Sequence, residues 1–252
     1  SGMVRDDAML AFERHATSKL RSAEDLLSVA TLGFRGEALP SIAAVSRLVL
    51  ETRSAEEPAG TRLEVNGGRL LEVREAGLPA GTSITVRDLF YNIPARRKFL
   101  RSEPTELGHI ASLVTHYALA HTELDFTLGS STGELLNVTR VETQRERLFQ
   151  VFGAEALEQM VELGSIETEL LLPVPSSAPP PGFTPEHAPR SDSEGQGETA
   201  AKKVRLTGFI SRPQGQKLNR NSIYIFANRR LIRDRLVLHA VGEAYRNLIP
   251  PA

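Results

Sequence analysis

Two glycines flank Phe34 and Arg35 in the run Thr31-Leu32-Gly33-Phe34-Arg35-Gly36-Glu37-Ala38-Leu39. Glycine permits backbone conformations and close approaches that a Cβ forbids, so the N–H groups of such a loop can converge on an anion. Glu37 to Val45 then predicts a helix that opens at the loop. The partial positive charge of its first turn would face the same anion. Upstream, Arg14-His15-Ala16-Thr17-Ser18-Lys19 offers hydroxyl donors at Thr17 and Ser18 and a mobile ammonium at Lys19. Together these residue types suit phosphate oxygens. Each has a plainer reading when taken alone: a Gly-x-x-Gly is more often a turn, and Lys19 a solvated surface lysine.

A second group is basic. Lys217, Arg220, Arg229, Arg230, Arg233, Arg235 and Arg246 face only Asp234 and Glu243 between positions 217 and 246. Arginines at a turn and a helix start can fan toward backbone phosphates and give affinity without reading bases. The competing reading pairs Arg233 and Arg235 with Asp234 and Glu243 in surface ion pairs of little worth. A third cluster, Arg96, Arg97, Lys98 and Arg101, stands before a helix and reads as a solvated charge run. The six histidines show no metal-ligand spacing, and the absence of cysteine excludes disulfides and thiolate metal sites.

The elements that must position these groups follow from periodicity. Ala8 to Phe12 and Ser22 to Val29 carry helical patterns. Arg47 to Arg53, Thr61 to Val65, Leu70 to Val73 and Thr82 to Val86 alternate as strands, and Asn66-Gly67-Gly68 predicts a hairpin turn. Pro104 to His121 reads as an amphipathic helix with Leu107, Ile110, Val114, Tyr117 and Ala118 on one face. Asp125 to Leu128 and Glu134 to Val138 predict short strands, and Gln144 to Phe152 a helix that ends at Gly153. Apolar alternation returns in Val204 to Ile210 and Ile223 to Phe226, before a helix from Arg233 to Asn247. Seven of the fifteen prolines lie between 173 and 189, so about 175–202 is expected to be a disordered loop. These elements predict an α+β fold: a mixed sheet covered by helices on one face, then a smaller α/β domain, with a boundary near residue 142.

Charge is nearly balanced, 30 basic against 31 acidic side chains, so only local clusters can argue for nucleic acid. No apolar run approaches the roughly 18 residues of a membrane span, and no signal peptide is visible.

Three segments carry a resemblance: Arg14 to Lys19; Leu32 to Leu39; and Gly81-Thr82 followed by Asp88-Leu89-Phe90-Tyr91-Asn92 and Pro94 to Leu100. In this order and spacing they resemble the MutL family of DNA mismatch-repair proteins, which belongs to the Bergerat-fold, or GHKL, ATPases. Asn228-Arg229-Arg230 and Arg233-Asp234 match the family's second domain. Pro40, and Ile93 before Pro94, depart from the usual pattern without undermining it.

The resemblance implies residues 1–142 as the C-terminal part of the ATPase domain with its lid. It implies residues 143–252 as a second, transducer domain like domain 2 of a ribosomal S5 protein. It implies ATP contacts at Gly2, Thr17, Ser18, Lys19, Gly33, Phe34, Arg35, Gly36, Glu37, Ala38, Leu39 and Thr82, with Thr82 serving the adenine region. Ser1-Gly2-Met3 reads as the tail of the family's Asp-x-Gly-x-Gly motif, or else as a cloning scar. Phe90, Tyr91 and Phe99 are expected to pack a core. DNA contacts fall to Arg229, Arg230, Arg233 and Arg235. The family's general base and Mg²⁺ ligand lie upstream of the lid, so no catalytic residue or metal ligand is assigned in this chain, and alone it is expected to turn over little ATP. Partners implied are DNA, a second copy in a homodimer, a MutS-type mismatch-recognition protein and a downstream nuclease or helicase, with no membrane and a cytoplasmic, nucleoid-associated location. A DNA-binding scaffold without nucleotide activity is the alternative.

Overall fold

The computed structural model describes residues 2–13, 33, 36–173, 199–213 and 223–246. The chain divides into two compact units, 1–112 and 113–252, each treated below by itself.

In the first unit, α1 (Arg5–Leu10) and α2 (Ala38–Ala43) precede β1 (Arg47–Arg53), β2 (Gly60–Asn66), β3 (Arg69–Ala76) and β4 (Gly81–Arg87). The strands form one sheet in the order β3-β2-β1-β4, and every pairing in it is antiparallel. Alternation in β1 buries Leu48, Leu50 and Thr52, and the register sets them opposite Val65, Leu63 and Thr61 of β2. Ala8 of α1 and Ala43 of α2 close over this face, with Met3, Phe12, Leu39 and Val73 packed around it. Such burial is the main favourable term in forming the unit. Gly67 (φ 56°) and Gly68 (φ 82°) both take the left-handed region and make the two-residue β2–β3 turn whose twist matches the strands.

After β4 come α3 (Pro94–Arg97) and α4 (Glu103–Ala120), which runs across the division between the units. Phe99 does not pack a core as the sequence suggested: it is 84% exposed, while Phe90 and Tyr91 are half-buried. Ile110, expected on the buried face of α4, is exposed, and burial falls on His116, Ala118 and Leu119.

The second unit holds the hairpin of β5 (Phe126–Ser130) and β6 (Gly133–Val138), then α5 (Gln144–Glu158). Thr143 and Glu146 close a reciprocal capping box at the start of α5. Gly153 breaks the helical conformation at φ 81° and ψ 173°, as its type predicts, but the chain re-enters helix and carries on to Glu158. Leu157, beyond the break, is buried with Leu119 and Leu148, and that burial rewards the second stretch. Next come β7 (Met160–Glu162), β8 (Ile166–Pro173), β9 (Thr199–Leu206) and β10 (Phe209–Ser211); β8 pairs with β9, and β7 with β10. The hairpin of β11 (Ile225–Ala227) and β12 (Arg230–Ile232) leads to α6 (Arg235–Tyr245), capped by Asp234. Of the loop expected over about 175–202, residues 199–202 instead begin β9, paired with β8, and the rest lies outside the described residues.

Candidate functional site

In the first unit the glycine loop meets the sheet through α2. Gly36 sits at φ 64°, Glu37 is the N-cap without a side-chain cap bond, and Pro40 falls in the first turn, where its missing N–H costs nothing. The helix is only six residues long, shorter than the stretch to Val45 that the sequence suggested. Its far end is held firmly. Four consecutive carbonyls accept hydrogen bonds: Ala43 from Gly68 N (2.9 Å), Ala44 from Asn92 Nδ2 (2.9 Å), Val45 from Phe90 N (2.7 Å) and Ser46 from Gly67 N (3.0 Å). Tyr91 Oη donates to Asn66 Oδ1 at 2.7 Å. A Cβ on Gly67 would lie 2.7 Å from that hydroxyl, so the Tyr91 ring would have to give way, and a φ of 56° adds strain for a larger residue. Asp88 and Phe90 take positive φ values, 52° and 62°, which cost non-glycine residues energy that the surrounding bonds must offset. Asp88 pairs with Arg47 at 3.3 Å, and the Arg47 guanidinium stands 5.2 Å above the Tyr91 ring. The segment from Asp88 to Asn92 therefore works as a clamp on the end of α2.

At the β1–β4 end of the sheet, Gly2 lies against the strand backbones. A Cβ built on it would stand 1.8 Å from the Arg53 carbonyl oxygen and 2.9 Å from that of Gly81. No larger residue fits there. Met3 N donates to Thr52 Oγ1 at 2.8 Å, and the Thr52 and Thr82 hydroxyls are 2.8 Å apart. Thr52, which sequence reasoning missed, thus links the sequence-predicted Thr82 to Met3, the neighbour of the sequence-predicted Gly2. A hydroxyl where the alternation of Leu48 and Leu50 calls for an apolar residue was the available signal. Gly33, Ala38 and Leu39 are also described, with Leu39 packed against the core. Thr17, Ser18, Lys19, Phe34 and Arg35 lie outside the described residues.

In the second unit Asn228 (φ 48°) and Arg229 (φ 66°) form the β11–β12 turn. Arg229 Nη1 pairs with Glu123 Oε1 at 2.5 Å, and His121 Nδ1 stands 3.3 Å from the same oxygen. The Glu123 carboxyl is held below its ordinary pKa by its own backbone N–H, with His121 and Arg229 adding to the effect. Asp234 Oδ1 accepts from Val237 N at 2.9 Å, and Glu243 pairs with Arg246. The pairing of Arg233 and Arg235 with these two acids is therefore not what forms; among the described residues neither arginine makes an ion pair. Both stand at the start of α6, where the helix dipole adds to their positive field. Burial lowers the pKa of His116, and the charge of Arg233 lowers it further. Lys217 and Arg220 lie outside the described residues. Among the described residues, no group of three His, Cys, Asp or Glu gathers to hold a metal.

Residues 191–252 match the family model described as the C-terminal domain of DNA mismatch repair protein. The chain is 64% identical over 249 residues to the DNA mismatch repair protein MutL of Solibacter usitatus, covering 99% of this chain and 37% of that protein. It is 60% identical to MutL of Koribacter versatilis over 252 residues, covering 99% of this chain and 38% of the relative. This chain belongs to the MutL family. It spans a little over a third of the length of these curated MutL relatives. Among solved structures, the Aquifex aeolicus MutL ATPase domain complexed with ADP superposes with a TM-score of 0.57 at 29% identity, over 91% of this chain and 72% of that one. The N-terminal domain of a DNA repair protein reaches a TM-score of 0.71 at 21% identity, over 98% of this chain and 67% of that one, a likeness of fold alone. The fold is accordingly the α+β GHKL type of the MutL ATPase domains. No helix among the described residues is long and apolar enough to cross a membrane.

Proposed function

We propose that the chain forms part of an ATP-operated switch in DNA mismatch repair. In the intact protein ATP binding orders the lid, and the ordered lid promotes pairing of two copies around DNA, an order–disorder switch whose population the ligand sets. One observation carries the nucleotide reading: Gly2 lies against the Arg53 and Gly81 carbonyls, next in the chain to Thr82, at a sheet end where its backbone leaves no room for a Cβ. The solved relative with ADP supports it. Residues 1–142 are read as the ATPase part and 143–252 as the transducer. Lys19 and the Gly33–Gly36 loop would meet the phosphates. Among the described residues no group of three His, Cys, Asp or Glu gathers to hold Mg²⁺. Recognition of mismatches by a MutS-type partner and strand processing by a nuclease or helicase belong to the intact protein.

Calorimetry with a non-hydrolysable ATP analogue and Mg²⁺ tests this, with Lys19→Ala and Arg35→Ala alongside. Binding by the intact protein that both substitutions weaken supports the reading; binding that neither changes overturns the assignment of the lid.

Arg233 and Arg235 at the start of α6, which make no ion pair among the described residues, favour a second reading, a DNA-binding scaffold that needs no nucleotide. DNA affinity that is the same with and without the ATP analogue would select it.

A further inference from the structure

Asn228 and Arg229 are the two residues of the β11–β12 turn, and both take positive φ, so the Arg229 side chain leaves the tip of a tight hairpin. Its Nη1 donates to Oε1 of Glu123, which lies in the segment between α4 and β5. The two partners are held differently. The Glu123 carboxylate also receives its own backbone N–H and stands 3.3 Å from Nδ1 of His121, whose side chain is mostly buried. An ionised carboxylate can only accept, so that ring nitrogen donates. Arg229 comes to the same oxygen from the solvent side, with a side chain 63% exposed, and meets it through one hydrogen bond. A guanidinium can instead grip a phosphate through two parallel bonds, which this contact does not use. An exposed pair of this kind shifts an equilibrium by no more than about fivefold. A phosphodiester can therefore take the guanidinium over.

We infer that Glu123 is a built-in competitor for DNA phosphate at Arg229: without DNA it holds the guanidinium at the hairpin tip, and a phosphate of the duplex must displace it. The inference rests on the proposed DNA contact of Arg229. Glu123 then lowers DNA affinity in two ways, by occupying the arginine and by repelling phosphates through space, and only the first needs Arg229. The penalty falls on every duplex alike, because a phosphate carries no sequence. Glu123 thus keeps this turn alone from holding DNA tightly. The same carboxylate lends its negative charge to the buried Arg147, so its removal is expected to cost some stability as well.

The test is a double-mutant cycle on the intact protein that carries this chain. It reads the affinity for a mixed-sequence DNA duplex at one low salt concentration, because salt screens exposed charges, with a non-hydrolysable ATP analogue present throughout and the melting temperature read alongside. Arg229→Asn removes the charge and suits the positive φ of the turn. Glu123→Gln is expected to tighten binding about two- to fivefold. The larger part of that gain should vanish in an Arg229→Asn background. Equally, Arg229→Asn should weaken binding more after Glu123→Gln than before it. If glutamine disturbs the fold, Glu123→Ala takes its place in the same cycle. A gain as large without Arg229 as with it, beside a loss on Arg229→Asn, overturns the competition and leaves the DNA contact standing. So does the absence of any gain from Glu123→Gln. No loss on Arg229→Asn, even after Glu123→Gln, overturns the placement of DNA at this turn, and the inference with it.

Discussion

Arg147 is fully buried, at 0% exposure, and its Nη2 donates to the carbonyl oxygens of Thr122 (3.0 Å), Leu124 (2.7 Å) and Thr139 (3.1 Å). It joins α5 to both flanks of the β5–β6 hairpin, with its guanidinium carbon 6.0 Å from the Phe126 ring centroid. Arg147→Met keeps an unbranched, though shorter, apolar stem and removes every donor. Nη2 carries two protons, so at most two of the three bonds are at full strength. At about 1.5–3 kcal/mol for each hydrogen bond to a charged group, the gross loss is about 3–6 kcal/mol. Burying a guanidinium is itself costly, and here Nε and Nη1 find no hydrogen-bond partner among the described atoms. Methionine escapes that cost, which returns part of the loss. The net expectation is about 2–4 kcal/mol of destabilisation, or roughly 5–15 °C in Tm for a unit of this size. Urea unfolding of the intact protein, with the slope unchanged, measures it. Arg147→Lys should also destabilise, since one ammonium cannot reproduce the planar fork. Burial lowers the guanidinium's pKa and the charges of Asp125 and Glu123 oppose that shift, yet arginine stays protonated, so the penalty should not vary between about pH 6 and 9. A loss below about 0.5 kcal/mol for Arg147→Met would refute the reasoning, for it would mean that desolvation cancels all three bonds.

Gly2→Ala should destabilise the first unit by about 1–3 kcal/mol, because its Cβ collides with backbone and not with a flexible side chain; an unchanged Tm would argue against that contact. His116 gives a pH dependence of known sign. Burial, then Arg233, lowers its folded pKa below 6.5, so the unfolded chain binds the proton more readily. The stability this contributes is present above about pH 6.5 and is lost as pH falls from there toward the folded pKa, and His116→Gln should flatten that limb in acid titrations of Tm. Arg235→Ala is expected to weaken DNA binding evenly across sequences and to reduce the salt slope by about one; an unchanged slope would place Arg235 outside the DNA contact.

The first sheet was legible to within a residue or two at most strand ends, because one face is buried and alternation in β1 and β2 follows directly from that. The Gly67-Gly68 turn was legible for the same reason that it forms: both positions need positive φ. What stayed hidden depended on partners far away in the chain. Thr52 is a good strand residue on any scale, and only residues far off in the chain, Met3, Gly81 and Thr82, give its hydroxyl a role. Arg229 reads as a free cation until Glu123, 106 positions earlier, comes beside it. Arg147 carries the charge of a surface residue, and only the carbonyls flanking a separate hairpin explain its burial. Gly153 was read as the end of the helix and does interrupt it, but its neighbours could not show that the helix would resume and Leu157 reach a core beyond it.

The four bonds on the carbonyls of Ala43 to Ser46 make α2 a post set in the sheet. Among the described residues, the bonds that fix its foot come from chain downstream of it, the Gly67–Gly68 turn and the Asp88–Asn92 clamp. A substitution in the loop before it leaves those donors in place, whereas Gly2, Met3 and Ala8 stay tied to the sheet. Evolution, or an engineer, can retune what the loop grips without refolding what holds it.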